Sequence, residues 1–159
     1  MNAPETDRTA RRTLVLGIGN SLRRDDGIGP AVVRALQQRQ LPNAQLLVVH
    51  QLTPELAEDM AAADQVVFVD AALGTPSLRM APVEPAASAA QPLVHFADPA
   101  SLVAFTQQQF GHAPRAWVVG VPAYDLGYGE GFSTETQAQM NAAIEAVSRI
   151  LEPVCTSSL

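Results

Sequence analysis

Three short apolar runs, LVLGI from Leu14, QLLVV from Gln45 and QVVFV from Gln65, constrain the fold more than any other feature of the chain. Each is too short for a helix, carries branched side chains and stops at a polar residue, as a strand buried on both faces of a parallel sheet does. Between the first two, AVVRALQQRQ behind Pro30 sets Val32, Val33 and Leu36 on one face of a helix, with Pro30 suited to its first turn. Between the second and third, Thr53 and Pro54 form a cap and first position for a short helix that turns Leu56 and Met60 inward. Three strands joined by two helical crossovers make a βαβαβ unit, and right-handed crossovers fix where its helices lie. The fold expected from this pattern is α/β.

The second half of the chain continues the theme. Leu78 to Met80 read as a short edge strand, and Pro82 to Pro92 as a loop. Asp98 and Pro99 open a helix carrying Leu102, Val103 and Phe105, which ends at Gly111 to Pro114. Ala116 to Val121 is a further buried strand, followed by the glycine-rich loop AYDLGYGEGF. Ser133 caps a last helix in which Met140, Ile144, Val147 and Leu151 recur at helical spacing. A length of 159 residues suits one domain that buries about two thirds of its unfolded surface. The expected boundaries are a flexible tail over 1–12, a single α/β domain over 13–152 and a second tail over 153–159.

Composition narrows the function. A net charge of -6 argues against a nucleic-acid partner or an anionic membrane surface, because either would need a basic face to capture phosphates. All ten basic residues are Arg, so Schiff-base chemistry on lysine is excluded. The single cysteine, Cys155, cannot form an internal disulfide, and a reducing, cytoplasmic setting is the simplest expectation. No window approaches the ~18 apolar residues of a membrane helix, and the charged N-terminal segment lacks the core of a signal peptide.

In open α/β sheets the ligand sits outside the carboxyl ends of the strands. The residues that follow each expected strand are therefore the candidates: Asn20, Asp25 and Asp26, then His50, then Asp70, then Asp125 and Glu130, with His95 ahead of the next helix. Carboxylates plus an imidazole on one edge suit a divalent metal of the first transition row, and a pair of carboxylates alone suits proton transfer. Structural roles compete. A carboxylate just ahead of a helix can cap its free N–H groups, which would explain one of Asp25 and Asp26. Asp70 could cap a turn, and His50 and His95 could each be polar residues at element ends. His112, beside Gly111 in a turn, reads as structural, and Cys155 has no base placed to activate it. GIGNSL lacks the third glycine of a dinucleotide-binding turn, since position 22 is Leu22, and the two acids beyond would repel a pyrophosphate. Neither G-x-S-x-G nor a Walker A lysine is present.

Taken together, LGIGNSLRRDDGIG with its following helix, QVVFVDAA, His95 ahead of a helix, WVVGV and GFSTETQ resemble the hydrogenase maturation endopeptidases. These remove a carboxyl-terminal extension from the large subunit of NiFe hydrogenases after nickel insertion. The resemblance spans nearly all of residues 13 to 152. It implies a three-layer αβα sandwich with a mostly parallel, twisted sheet of about five strands. It also implies a metal-binding triad of Asp26, Asp70 and His95, with Asp26, Asp70 and Asp25 as the catalytic candidates. The metal would be nickel supplied by the substrate, or another divalent metal in the isolated protein. The partner would be the large-subunit precursor, approached by a monomer. Two departures stand out: Asp26 where the family often has Glu, and HQLTP where many members have an Asp-Gly-Gly-Thr type segment, which offers His50 as an extra ligand or proton carrier. The rival readings are a non-cleaving, nickel-sensing chaperone of the large subunit and a small-molecule hydrolase of the nucleosidase or phosphorylase type, because a fold does not fix a function.

Overall fold

The computed structural model describes residues 11–87 and 98–152. Along the chain lie β1 (Thr13–Ile18), α1 (Ile28–Gln37), β2 (Ala44–Val49), α2 (Leu56–Ala61), β3 (Gln65–Leu73), β4 (Arg79–Val83), α3 (Pro99–Phe110), β5 (Arg115–Ala123) and α4 (Thr134–Leu151). A single 3-10 turn, Arg24–Gly27, stands between β1 and α1. The strands make one sheet in the order β2-β1-β3-β5-β4, parallel except for β4, which runs antiparallel to β5.

Both faces of the sheet are covered, which is why its central strands are apolar without alternation. On one face Val15, Val67, Val69, Val119 and Val121 pack with Val32, Val33 and Leu36 of α1 and Ala143, Ile144 and Val147 of α4. On the other, Leu14, Leu16, Val66, Phe68 and Ala116 pack with Leu56, Ala57 and Met60 of α2 and Leu102 and Val103 of α3. Each fully buried Leu, Val or Phe among them contributes roughly 1.5–3 kcal/mol relative to exposure. The result is the three-layer αβα sandwich. Polar groups inside it are satisfied: the buried Gln65 amide donates to Thr13 Oγ1 at 2.7 Å and to the Ile150 carbonyl at 3.0 Å, tying the end of α4 to the sheet.

Element ends differ from the sequence pattern for physical reasons. β3 continues through Asp70 to Leu73 opposite β5, because a ladder needs backbone partners and not apolar side chains. β5 includes Pro122, and β4 includes Pro82. Arg115 N–H donates to the Asp64 carbonyl on the β3 side, so alternation turns Pro122 towards β4, which has already ended at Arg79 opposite Gly120. Its missing N–H therefore removes no ladder bond. Thr53 does not cap α2; the i to i+3 bonds Leu56 N to Thr53 O and Ala57 N to Pro54 O wind a tight turn first, and the helix starts at Leu56. Asp98 and Ser133 do cap α3 and α4, accepting from Ser101 N at 3.0 Å and Thr136 N at 3.3 Å. Arg12 already belongs to the folded body, since its N–H donates to Asp64 Oδ2 at 2.8 Å. The rest of the expected tails, residues 1–10 and 153–159, and part of the expected loop, 88–92, lie outside the described residues.

α1 comes unusually close to the sheet. A Cβ on Gly29 would overlap the Val69 carbonyl oxygen and lie 2.6 Å from that of Ile18. Both are backbone atoms that cannot step aside. Gly29→Ala is expected to destabilise the protein by about 1–3 kcal/mol, the usual cost of overpacking, read as a lower urea midpoint with an unchanged slope.

Candidate active site

The carboxyl edge of the sheet is organised by the loop between β1 and α1. Gly19 leaves β1 with φ +142°, where a Cβ would overlap the Asp26 carbonyl oxygen, so the loop can fold back on itself only with glycine there. Asn20 makes the next turn by accepting the Leu22 N–H on Oδ1 at 3.0 Å. Arg24, at φ 45°, then tips the chain into the 3-10 turn that carries both acids. The turn sends them in different directions.

Asp25 points inward and is fully buried. Its carboxylate accepts four hydrogen bonds: from Tyr124 N at 2.9 Å, Asp125 N at 2.8 Å, Ser133 N at 2.7 Å and Ser133 Oγ at 2.7 Å. Burial alone would raise its pKa, but these donors outweigh burial and hold the carboxyl at about 2. The expectation that one of the two acids caps α1 is not met, since no side chain caps that helix. Asp25 instead clamps the β5–α4 loop, and every oxygen it offers is engaged inside the protein. Fully buried, it presents no oxygen to the surface.

Asp26 and Asp70 make the outward-facing pair. Asp26 is half-buried and accepts the Asn20 N–H on Oδ2 at 2.8 Å. Asp70, also half-buried, lies on β3 just beyond the last residue paired with β1, and accepts the N–H of Ala71 at 2.8 Å. Burial pushes the Asp70 carboxyl up to about 6; the negative charge of Asp26 adds to this, and the Ala71 N–H works against it. Two carboxylates close enough to repel are ready to share a proton or to accept a cation. Their oxygens suit a divalent ion as donors, yet among the described residues no group of three His, Cys, Asp or Glu side chains is placed to hold one. His95 lies outside the described residues, as does Cys155.

The remaining candidates divide by role. His50 is exposed at the carboxyl end of β2, on the same side of the sheet. Asp125 is structural: Oδ1 accepts Gly127 N at 2.9 Å and Oδ2 pairs with Arg24 Nε at 3.5 Å. Glu130 is exposed on the same loop. His112 bridges at the opposite end of the sheet, its ring nitrogens 3.2 Å from the Phe110 carbonyl and 2.9 Å from that of Ala61. Sequence reasoning missed the lacing between the two loops. Arg23 donates to the Leu126 carbonyl at 3.2 and 3.1 Å and sits 5.9 Å from the Tyr128 ring centre, while backbone bonds join Leu22, Arg24 and Gly129. The one visible hint was Ser133, legible as a cap but not as a partner of Asp25.

No protein-family model and no curated protein matches the sequence. Solved structures do. The hydrogenase-maturating endopeptidase HybD from E. coli is 27% identical, with 88% of this chain and 91% of that one aligned at a TM-score of 0.69. The hydrogenase 2 maturation peptidase from a Thaumarchaeota archaeon is 26% identical over 89% of this chain and 100% of its own, at 0.63. The NiFe hydrogenase maturation protease HycI from Thermococcus kodakarensis, 24% identical over 89% and 92% at 0.68, shares the fold.

The two kinds of acid have opposite effects on stability. Asp70 binds its proton more tightly folded than unfolded, so its ionisation lowers stability as pH rises from about 4 to about 6. Asp70→Asn is therefore expected to gain roughly 1–3 kcal/mol over wild type at pH 7.5 and little at pH 4, in urea unfolding at both pH values. Asp25 stabilises above its unfolded pKa, and that contribution is lost as pH falls from 3.8 to about 2. Asp25→Asn turns an amide NH2 towards inward-pointing donors and is expected to lose about 3 kcal/mol or more at pH 7.

Proposed function

We propose, from its kinship with the hydrogenase maturation endopeptidases, that this chain is a peptidase which removes the carboxyl-terminal extension of a NiFe-hydrogenase large-subunit precursor after nickel insertion. The observation that supports this reading best is the pair Asp26 and Asp70 on the carboxyl edge of a sheet shared with those enzymes, one of them held at about 6. The precursor's nickel is treated as part of the substrate. Asp26 and Asp70 receive it, and His95 completes the set, a role resting on the sequence resemblance. Nickel held there would supply Lewis-acid polarisation of the scissile carbonyl or of the attacking water.

The chain's own part is positional and acid–base. With its carboxyl at about 6, Asp70 is mostly ionised at neutral pH and meets an arriving cation as a carboxylate, and below about 6 a cation has to displace its proton. A carboxylate of the pair then takes the proton of the attacking water. Asp25 acts by holding the loops and touches nothing that reacts. Among the described residues no helix is long and apolar enough to cross a membrane; the cytoplasmic setting of this reading rests on the single cysteine of the sequence.

Incubation with nickel-loaded and nickel-free precursor, followed by mass spectrometry, tests the reading. Loss of the extension is expected only from the loaded form. Asp70→Asn and His95→Ala are expected to slow processing by about 10²-fold or more with the circular dichroism spectrum preserved. Intact extension on the loaded form would leave a chaperone as the better reading, and equal cleavage of both forms would remove nickel recognition.

A further inference from the structure

The pairing register leaves a notch in the sheet directly beside the two acids. β1 pairs with β3 only as far as Gly17 opposite Val69, whereas β3 and β5 remain paired to Leu73 opposite Ala123. Gln65 N–H donates to the Arg12 carbonyl on the β1 side, and Asp64 offers its carbonyl to Arg115 on the β5 side. Backbone groups of a parallel strand alternate sides residue by residue, so those of Ala71 and Leu73 turn towards the space that β1 vacates. Ala71 N–H is occupied by Asp70 Oδ1 at 2.8 Å. Among the described residues, outside the ladder with β5, no backbone hydrogen bond reaches Ala71 or Leu73.

We propose that this open edge of β3 holds the first residues of the substrate's carboxyl-terminal extension as an added parallel strand. One residue of the extension lies opposite Ala72, donating its N–H to the Ala71 carbonyl and accepting the N–H of Leu73. The orientation follows from where the bond to be cut must lie. The Ala71 carbonyl and the Leu73 N–H can be met by a segment running either way, in the antiparallel case through the two residues that flank the one opposite Ala72. Only a parallel strand runs away from the acids towards its carboxyl end, which brings the bond to be cut, on the amino side of the paired residue, beside Asp26 and Asp70. The edge is reachable, since Leu73 is 64% and the neighbouring Tyr124 54% exposed. Recognition through the backbone asks for an extended segment and leaves its side-chain sequence loosely specified. The inference rests on the peptidase reading for the identity of the segment, but its test does not depend on cleavage.

Synthetic peptides spanning the junction, each N-methylated at one backbone amide, are titrated with the whole protein by fluorescence anisotropy, and cleavage is followed separately. The expected result is that the unmodified peptide binds and that methylation at one position after the cleaved bond weakens binding at least tenfold, while its neighbours on either side do not. Leu73→Pro removes only the outward N–H of β3; it is expected to raise KM at least tenfold with kcat retained, and Leu73→Ala, which restores the N–H, to recover the loss. A flat methylation scan, or no binding of the unmodified peptide, overturns the strand addition whether or not the precursor is cut. Position-dependent binding without cleavage would sustain the strand addition and count against the peptidase reading alone.

Discussion

A single buried carboxylate organises the functional edge of this protein. Asp25 brings a charge into the interior, a placement that is strongly unfavourable unless every oxygen is met by a donor. Tyr124, Asp125 and Ser133 supply those donors from positions 99, 100 and 108 residues further along the chain. One side chain thereby fixes the end of β5, the start of α4 and the turn after β1 as a unit. Charge-assisted bonds of this length are about twice as strong as neutral ones, and the pKa of about 2 reflects their combined effect. The arginines that lace the same loops together are exposed and contribute less.

With that unit rigid, Asp26 and Asp70 can be held in a relation that they would not choose. Each is half-buried and has one backbone donor, and at Asp70 that donor is too little to offset desolvation and the repulsion of Asp26. Stability is given up at Asp70 and supplied elsewhere, the arrangement expected of a site kept for chemistry. Its place on β3 follows the same logic: the strand has left the hydrophobic core but is still held by β5, so Asp70 stands at a sheet edge with one side open.

How much of this was legible in the sequence depends on whether burial or geometry carried the signal. The strands at Leu14, Gln45, Gln65 and Ala116 and the helix caps at Asp98 and Ser133 were readable, because apolar runs report burial and short polar side chains report free N–H groups. The ends of β3 and β5 were not, because strand pairing beyond the core leaves no hydropathy trace. The two acids of DDG are the sharpest case. Identical neighbours in sequence, they diverge because the positive φ of Arg24 and the 3-10 turn rotate one inward and one outward. Asp25 needed partners a hundred residues away to be read as a clamp, and no local pattern records them. The resemblance to the maturation endopeptidases was visible in LGIGNSLRRDDGIG and QVVFVDAA, and the solved structures share that fold.

The central claim is a division of labour among three aspartates, with Asp25 as the fixed clamp and Asp26 and Asp70 as the working pair. Carboxyl-carbon NMR of the whole protein across pH 1.5 to 8 measures it most directly, without substrate or metal. The account predicts that Asp25 titrates at about 2 and Asp70 at about 6, and that Asp26→Asn moves Asp70 down while leaving Asp25 in place. Titration of both residues in the ordinary carboxylate range near 4, or an Asp70 indifferent to Asp26→Asn, would contradict it.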